Sequence, residues 1–242
     1  RMPDIEKYLP NKFPPLPKEG EKVHFKDMEI RTENGIIRFT PDQSYSTGNF
    51  SKLREKHATL QMDSRNNTTE RRDIILDRTK WTPEFFEGKT VLECGCGAGP
   101  DTEILLNFGA EVVSVDLAGL DIAKGNIGAN DNVTFVQASI LDLPFKKKSF
   151  DIVFCHRVIQ HTPDPEATLD HILQYVKDDG AVFVHTYART FVQMFRWKYA
   201  LRPFTKRMDP ERLYNFIKSY ARAAFKFTNF MRKIPGGRYF NF

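Results

Sequence analysis

The chain has only three cysteines, Cys94, Cys96 and Cys155, and six scattered histidines. That leaves no framework for disulfides and no cluster of ligands for a structural metal centre, so neither is expected. Cys94 and Cys96 form a C-x-C pair inside a glycine-rich loop, where backbone geometry is the evident constraint. No apolar run approaches the roughly 18–20 residues that a membrane span needs. Arg1 to Gly20 carries charges of both signs and five prolines, which suits neither a signal core nor a transit peptide. Internal repeats and low-complexity tracts are also missing. A soluble, cytoplasmic protein is the expectation, with no metal.

What is present fits a globular chain: 242 residues, 40% hydrophobic and 28% charged. That length accommodates one α/β domain of roughly 100–200 residues with an appended piece. The net charge of +5 is unevenly placed: residues 189–242 hold thirteen of the 36 Lys/Arg and two of the 31 acids, +11 there against −6 elsewhere.

Three segments follow. Residues 1–80 read as an N-terminal arm, a hairpin and lid helices. Pro3, Pro10, Pro14, Pro15 and Pro17 keep the arm extended. Asn34-Gly35, between Glu29–Thr32 and Ile36–Phe39, is a two-residue hairpin turn. Ser51 to Lys80 predicts two helical pieces parted at Asn66-Asn67, with Leu53, Leu60, Ile74, Ile75 and Leu76 as buried positions. Residues 81–188 form the core. Short apolar bursts at Thr90–Leu92, Val112–Val115, Val133–Val136, Phe150–Cys155 and Ala181–Tyr187 alternate with helical segments at Asp101–Phe108, Leu120–Ala129 and Glu166–Val176. This order predicts an α/β fold, a doubly wound and mostly parallel sheet of Rossmann-like type. Gly109 suits a helix C-terminus, Asp179-Gly180 would end the last helix, and Ala167, Leu169, Ile172, Leu173 and Val176 would be that helix's core-facing stripe. Residues 189–242 predict a basic, aromatic helical cap.

The richest segment is Val91-Leu92-Glu93-Cys94-Gly95-Cys96-Gly97-Ala98-Gly99. Glycines at that spacing let the chain turn from strand to helix while a ligand lies on bare backbone. A dinucleotide site places its third glycine one position later, where this chain has Pro100. Glu93 would repel a pyrophosphate but suits the ammonium of an amino acid. Asp116 follows 21 residues after Gly95, where an acid can accept both ribose hydroxyls. A ligand with a ribose and an ammonium but no phosphate fits these two acids.

Val91–Gly99, Val115-Asp116-Leu117, Leu143-Pro144-Phe145, Ser149-Phe150-Asp151 and His156–Pro163 together resemble the class I S-adenosylmethionine-dependent methyltransferases, in the group of the type 11 methyltransferase domain. The resemblance spans about residues 80–187. It implies S-adenosylmethionine as cofactor, with Glu93, Gly95, Cys96, Gly97 and Gly99 around the methionine part, Asp116 and Leu117 at the ribose, and Ser139 and Ile140 flanking adenine. His156 would line the same site through its backbone. The family commonly carries an acid where this chain has Ser139, and Lys146-Lys147-Lys148 replaces a usually acidic loop. Asp42-Gln43-Ser44-Tyr45-Ser46 and Gln61-Met62-Asp63-Ser64 resemble lid pieces of some relatives, with Tyr45 placed to cover the methyl donor or simply to pack.

Methyl transfer from a sulfonium is a direct displacement with a neutral leaving group, so alignment dominates and a base is needed only for a poor nucleophile. His161 and His156, after the fourth core strand, are the candidate catalytic groups; each has a purely structural alternative. His185 and Tyr187 read as structural. The expected acceptor is a small or medium-sized molecule, lipid-like or sugar-like ones included. RNA methylation, or noncatalytic binding of RNA or an acidic partner, is the alternative opened by the basic end. A nicotinamide-dependent oxidoreductase is disfavoured by Glu93 and Pro100. The family's sheet ordinarily closes with an antiparallel strand pair, which nothing in 189–242 matches clearly. Truncation is the expected reason, with Gly236–Phe242 as a remnant and Arg1 standing ahead of a natural start at Met2.

Overall fold

Eight strands make one sheet: β1 (Lys22–Phe25), β2 (Met28–Glu33), β3 (Ile36–Arg38), β4 (Thr90–Cys94), β5 (Glu111–Asp116), β6 (Val133–Gln137), β7 (Phe150–His156) and β8 (Val176–His185). They lie in the order β1-β2-β3-β6-β5-β4-β7-β8. The computed structural model describes residues 5–26, 28–39, 57–187, 203, 205, 207–209 and 211–218. Two units divide the chain, Arg1–Tyr187 and Ala188–Phe242. In the second, residues 211–218 are helical, with Glu211 and Arg212 amides donating to Asp209 Oδ1. Apart from residues 203, 205 and 207–209, the remainder of the expected basic cap lies outside the described residues, as do Leu53 and the segment Asp42–Ser46 with Tyr45.

Strands β6, β5, β4, β7 and β8 are parallel neighbours, as the alternation of apolar bursts and helices requires. Helices α1 (Asp63–Asn66), α2 (Glu70–Thr79), α3 (Pro100–Asn107), α4 (Leu120–Ile127) and α5 (Pro165–Leu173) surround them. Among the described residues, no helix is long and apolar enough to cross a membrane. The antiparallel strands are β1, β2 and β3, and they extend the edge at β6 through parallel pairing of β3. The antiparallel extension is therefore N-terminal in this chain, at the edge opposite β8. Asn34 and Gly35 have φ of 54° and 60°, the two positive values of a tight hairpin turn, and Glu19 accepts from both amides.

Each face of the sheet has its own apolar cluster. Val91, Val112, Phe135, Ile152 and Phe154 pack with Ile75, Ile104, Leu105 and Ala123 from the helices. On the other face, Leu92, Cys94, Val113, Val115, Val153 and Cys155 meet Ile172 of α5. Residues 138–149, which cross between β6 and β7, contain no helix, and the N-terminal arm supplies the missing cover. Ile5, Tyr8 and Leu9 are buried there; Tyr8 stacks on Phe150 at 4.6 Å and donates to Glu111 Oε1 at 2.9 Å.

Several expectations change. Leu60 is 65% exposed, whereas Ile75 is fully buried. α5 starts at Pro165, with Asp164 accepting from the Glu166 and Ala167 amides, and buries Thr168 and Ile172, followed by Tyr175, leaving Ala167 and Leu173 outside. Thr168 tolerates burial because its hydroxyl donates to Asp164 O at 2.6 Å. Gly180 does not end that helix: β8 already begins at Val176, and Gly180 lies where its pairing with β7 shifts register between Phe150 and Ile152. A Cβ at Gly180 would come within 2.7 Å of Asp151 O. Gly109 does serve as the helix terminator, with φ of 81° and its amide donating to Leu106 O.

Candidate functional site

The carboxyl ends of β4, β5, β6 and β7 converge on a cavity of about 690 Å³. Open α/β sheets bind ligands there because helix N-termini and loops converge at that edge. β4 turns into α3 through Gly95, Gly97 and Gly99, with φ of 87°, 61° and 89°. At Gly95 a Cβ would meet Val158 Cγ2 at 2.4 Å, so the loop can approach the loop after β7 only without a side chain. Gly95, Cys96 and Gly97 line the cavity; Gly99 instead forms the N-cap of α3.

Asp116 lines the cavity from the end of β5, accepting from Gly97 N at 2.8 Å and Ala118 N at 3.2 Å. Leu117, Ser139 and Ile140 lie along the same wall. Ser139 Oγ accepts from Leu141 N at 3.2 Å. The hairpin braces this wall: Arg38 donates to Gln137 Oε1, and Gln137 Nε2 donates to Leu117 O at 3.1 Å.

Glu93 does not line the cavity. It is 2% exposed on the helical side of β4, where its Oε2 accepts from Thr102 Oγ1 at 2.6 Å and Ser114 Oγ at 2.7 Å. Its Oε1 has no hydrogen-bond partner. Burial, followed by the charge of Asp101, pushes its carboxyl up to about 7. Burial likewise raises Cys155 to about 12 and Cys94 well above the usual thiol range, so neither is a thiolate nucleophile.

The opposite wall is charged. Arg71 of α2 makes a two-point ion pair with Asp101, Nε to Oδ1 at 2.5 Å and Nη2 to Oδ2 at 2.7 Å. Asp101 Oδ2 is 3.0 Å from His156 Nδ1, and His156 Nε2 is 2.6 Å from Arg78 Nη1. A guanidinium only donates, so Nε2 accepts and Nδ1 carries the proton to Asp101. Burial opposes the charge of Asp101, yet the hydrogen bond from His156 and the Arg71 guanidinium hold its carboxyl below the ordinary range. Both ring nitrogens of His156 are thus engaged. His161 is exposed at the cavity, its ring 6.5 Å from that of Tyr187, which also lines it. His185 packs edge-on against His156 at 5.3 Å.

His57, Ala58, Leu60, Gln61 and Met62 close another side of the cavity. Asn126 Nδ2 ties that segment to the glycine loop, donating to Ala58 O and Ala98 O at 2.9 Å each. Sequence reasoning identified the Gln61–Met62 piece but not Arg71, Asp101 or Arg157. Asp101 had one signal, an acid in the first turn of a helix directly after the glycines; Arg71 and Arg157 had none.

The donor set suits a nucleoside carrying an amino acid. Asp116 offers a carboxylate beside the glycine turn, the cradle at Gly95 admits no side chain, and Arg71 lines the same cavity. Residues 92–184 match the model of the methyltransferase domain family. Over those residues the chain is similar to the S-adenosylmethionine-dependent methyltransferases. It is similar to a ubiquinone biosynthesis O-methyltransferase from Azoarcus sp., 34% identical over 111 residues, 43% of this chain and 46% of that one. A demethylmenaquinone methyltransferase from Clavibacter sepedonicus is 28% identical over 144 residues, 59% of this chain and 57% of that one. A solved S-adenosylmethionine dependent methyltransferase from Mesorhizobium loti is 20% identical over 40% of this chain and 50% of that one, with a TM-score of 0.35. The chain spans about half the length of the curated relatives it matches.

Proposed function

We propose that this protein transfers the methyl group of S-adenosylmethionine to a small-molecule acceptor bound in the cavity at the carboxyl edge of the sheet. The juxtaposition of the glycine turn with Asp116, joined by the Gly97 N to Asp116 Oδ2 hydrogen bond, carries this reading. When bound, the sulfonium supplies an activated methyl group and leaves as a neutral thioether. Asp116 would hold the ribose hydroxyls, Gly95, Cys96 and Gly97 the methionine backbone, and Leu117, Ser139 and Ile140 the adenine side. Gly99 acts by setting the start of α3. Glu93 would act from beneath, fixing α3 and the loop through Thr102 and Ser114, with Oε1 left to an ammonium or a water. Arg71 is placed to meet the methionine carboxylate.

For a hydroxyl acceptor we assign proton removal to His161, because its ring faces the cavity and that of His156 is held at both nitrogens by Asp101 and Arg78. The quinone-pathway names of the relatives favour a small aromatic acceptor of that kind. The three free cysteines accord with a cytoplasmic setting.

Calorimetry with S-adenosylhomocysteine tests the reading. Wild type should bind it, and Asp116→Ala, shown to be folded by its melting curve, should weaken binding by tenfold or more. His161→Ala should leave that affinity within twofold but reduce labelled-methyl incorporation into a small-molecule extract about 100-fold. No binding by wild type would sink the proposal.

A further inference from the structure

The cavity's charged wall holds more cations than its carboxylates neutralise. Two guanidiniums line the cavity there, those of Arg71 and Arg157, and a third, that of Arg78, is held against His156. Among the described residues, Asp101 is the carboxylate hydrogen-bonded within this group, and its oxygens are already taken by Arg71 and His156, while Asp77 reaches Arg78 through its charge alone. Among the described residues, no carboxylate lies within ion-pair distance of Arg78 or Arg157. Arg78 hydrogen-bonds, among the described residues, to His156 Nε2 alone. Arg157 lines the cavity with a buried Nε that has no partner. Nearby, His185 Nδ1 is also buried without a partner. Burial, then the like charges of Arg157 and Arg71, hold Arg78 below the usual arginine range, which places the three cations within mutual influence.

The backbone reinforces this. Arg157 sits at φ 61°, a left-handed conformation that a long side chain rarely adopts. Its amide donates to His185 O at 2.8 Å, which pins the residue at the end of β7 beside the cavity. Strain at a ligand-facing position, together with a buried donor left open, is the pattern of a pre-formed recognition group. A serine or glutamine there would leave less charge to satisfy.

We infer that the acceptor is an anion, and that Arg157, backed by Arg78 and His185, receives its carboxylate or phosphate. The inference rests on the methyl-transfer reading, because it assigns Arg71 to the cofactor and leaves Arg78 and Arg157 in excess. A guanidinium binds either oxyanion through paired donors, and a neutral isostere would leave those donors unpaired. The group must sit away from the atom to be methylated, since a cation beside a nucleophilic oxygen anchors charge but does not remove the proton.

The test uses protein saturated with S-adenosylhomocysteine and three probes: 4-hydroxybenzoate, its neutral amide 4-hydroxybenzamide, and phenyl phosphate. Calorimetry should show at least one anionic probe binding tenfold or more tighter than the amide. Arg157→Gln should abolish that preference with S-adenosylhomocysteine affinity unchanged within twofold, and Arg157→Lys should restore part of it. Melting curves establish that each variant is folded; if Arg157→Gln is not, Arg78→Gln serves in its place. Equal binding of anion and amide by wild type would overturn the inference, as would a preference indifferent to both substitutions. An anion preference seen only without S-adenosylhomocysteine would also overturn it, assigning these cations to the methionine carboxylate. Should S-adenosylhomocysteine fail to bind at all, the methyl-transfer reading falls by itself. The Arg157-dependent preference, measured on unloaded protein, then still decides whether this wall takes an anion.

Discussion

Asp101 fixes the tautomer of His156: Oδ2 lies 3.0 Å from Nδ1, and the opposite nitrogen faces a guanidinium 2.6 Å away. The carboxylate also accepts from two donors of Arg71, so one buried acid on α3 ties together side chains of α2 and β7.

Removing that charge strands the cations around it. Asp101→Asn should destabilise the fold by about 3–5 kcal/mol, the range for breaking a buried pair. The native carboxyl is held below its unfolded value, so its contribution is complete above the ordinary aspartate range and is lost as pH falls through the lowered native one. Melting temperatures of wild type and Asp101→Asn should therefore converge in acid. A gap that stays constant with pH would count against this assignment.

Glu93 has the opposite sign. Its native value near 7 exceeds the unfolded one, so wild-type stability should fall as pH rises between about 4.5 and 7, by about 3 kcal/mol in all. Glu93→Gln keeps an oxygen to accept from Thr102 and Ser114 while losing the charge. It should melt progressively higher than wild type from pH 5 to pH 8. Parallel melting profiles would refute the buried-charge account.

Gly95→Ala adds a methyl group at φ 87° and at 2.4 Å from Val158 Cγ2. Conformational strain of about 1–3 kcal/mol is expected, with the displaced loop binding S-adenosylhomocysteine at least tenfold more weakly. Calorimetry alongside a melting curve separates the two effects. Unchanged affinity would mean the loop is not the ligand's support.

Tyr8 tests the arm. Its ring stacks on Phe150 and its hydroxyl reaches Glu111, which makes the arm part of the core in place of a crossover helix. Tyr8→Phe should cost about 1 kcal/mol and Tyr8→Ala about 3–5 kcal/mol in chemical denaturation. Little loss in Tyr8→Ala would show the arm to be a dispensable cover.

The sheet's parallel core was legible because its signals are local. Apolar bursts at Val112–Val115 and Phe150–Cys155 mark strands covered on both faces, and Asn34-Gly35 marks a turn by its conformational freedom alone. The stripe of α5 was misread because Thr168 satisfies its hydroxyl within the helix, which composition does not reveal. Gly180 was misread because a glycine before a strand serves equally as a helix stop or as a point where neighbouring backbone comes close.

By itself the sequence determined the glycine turn, Asp116 at the end of the following strand and the class of cofactor these favour, since each depends on spacing within one β-α-β unit. Only the tertiary structure decided that Glu93 lies beneath the site, that His156 is held at both nitrogens, and that Arg71 pairs with Asp101 while Arg78 meets His156. The contacts of Asp101 and His156 join residues 30 to 78 positions apart, and charge balance in a cavity depends on which side chains the packed helices and strand ends bring together.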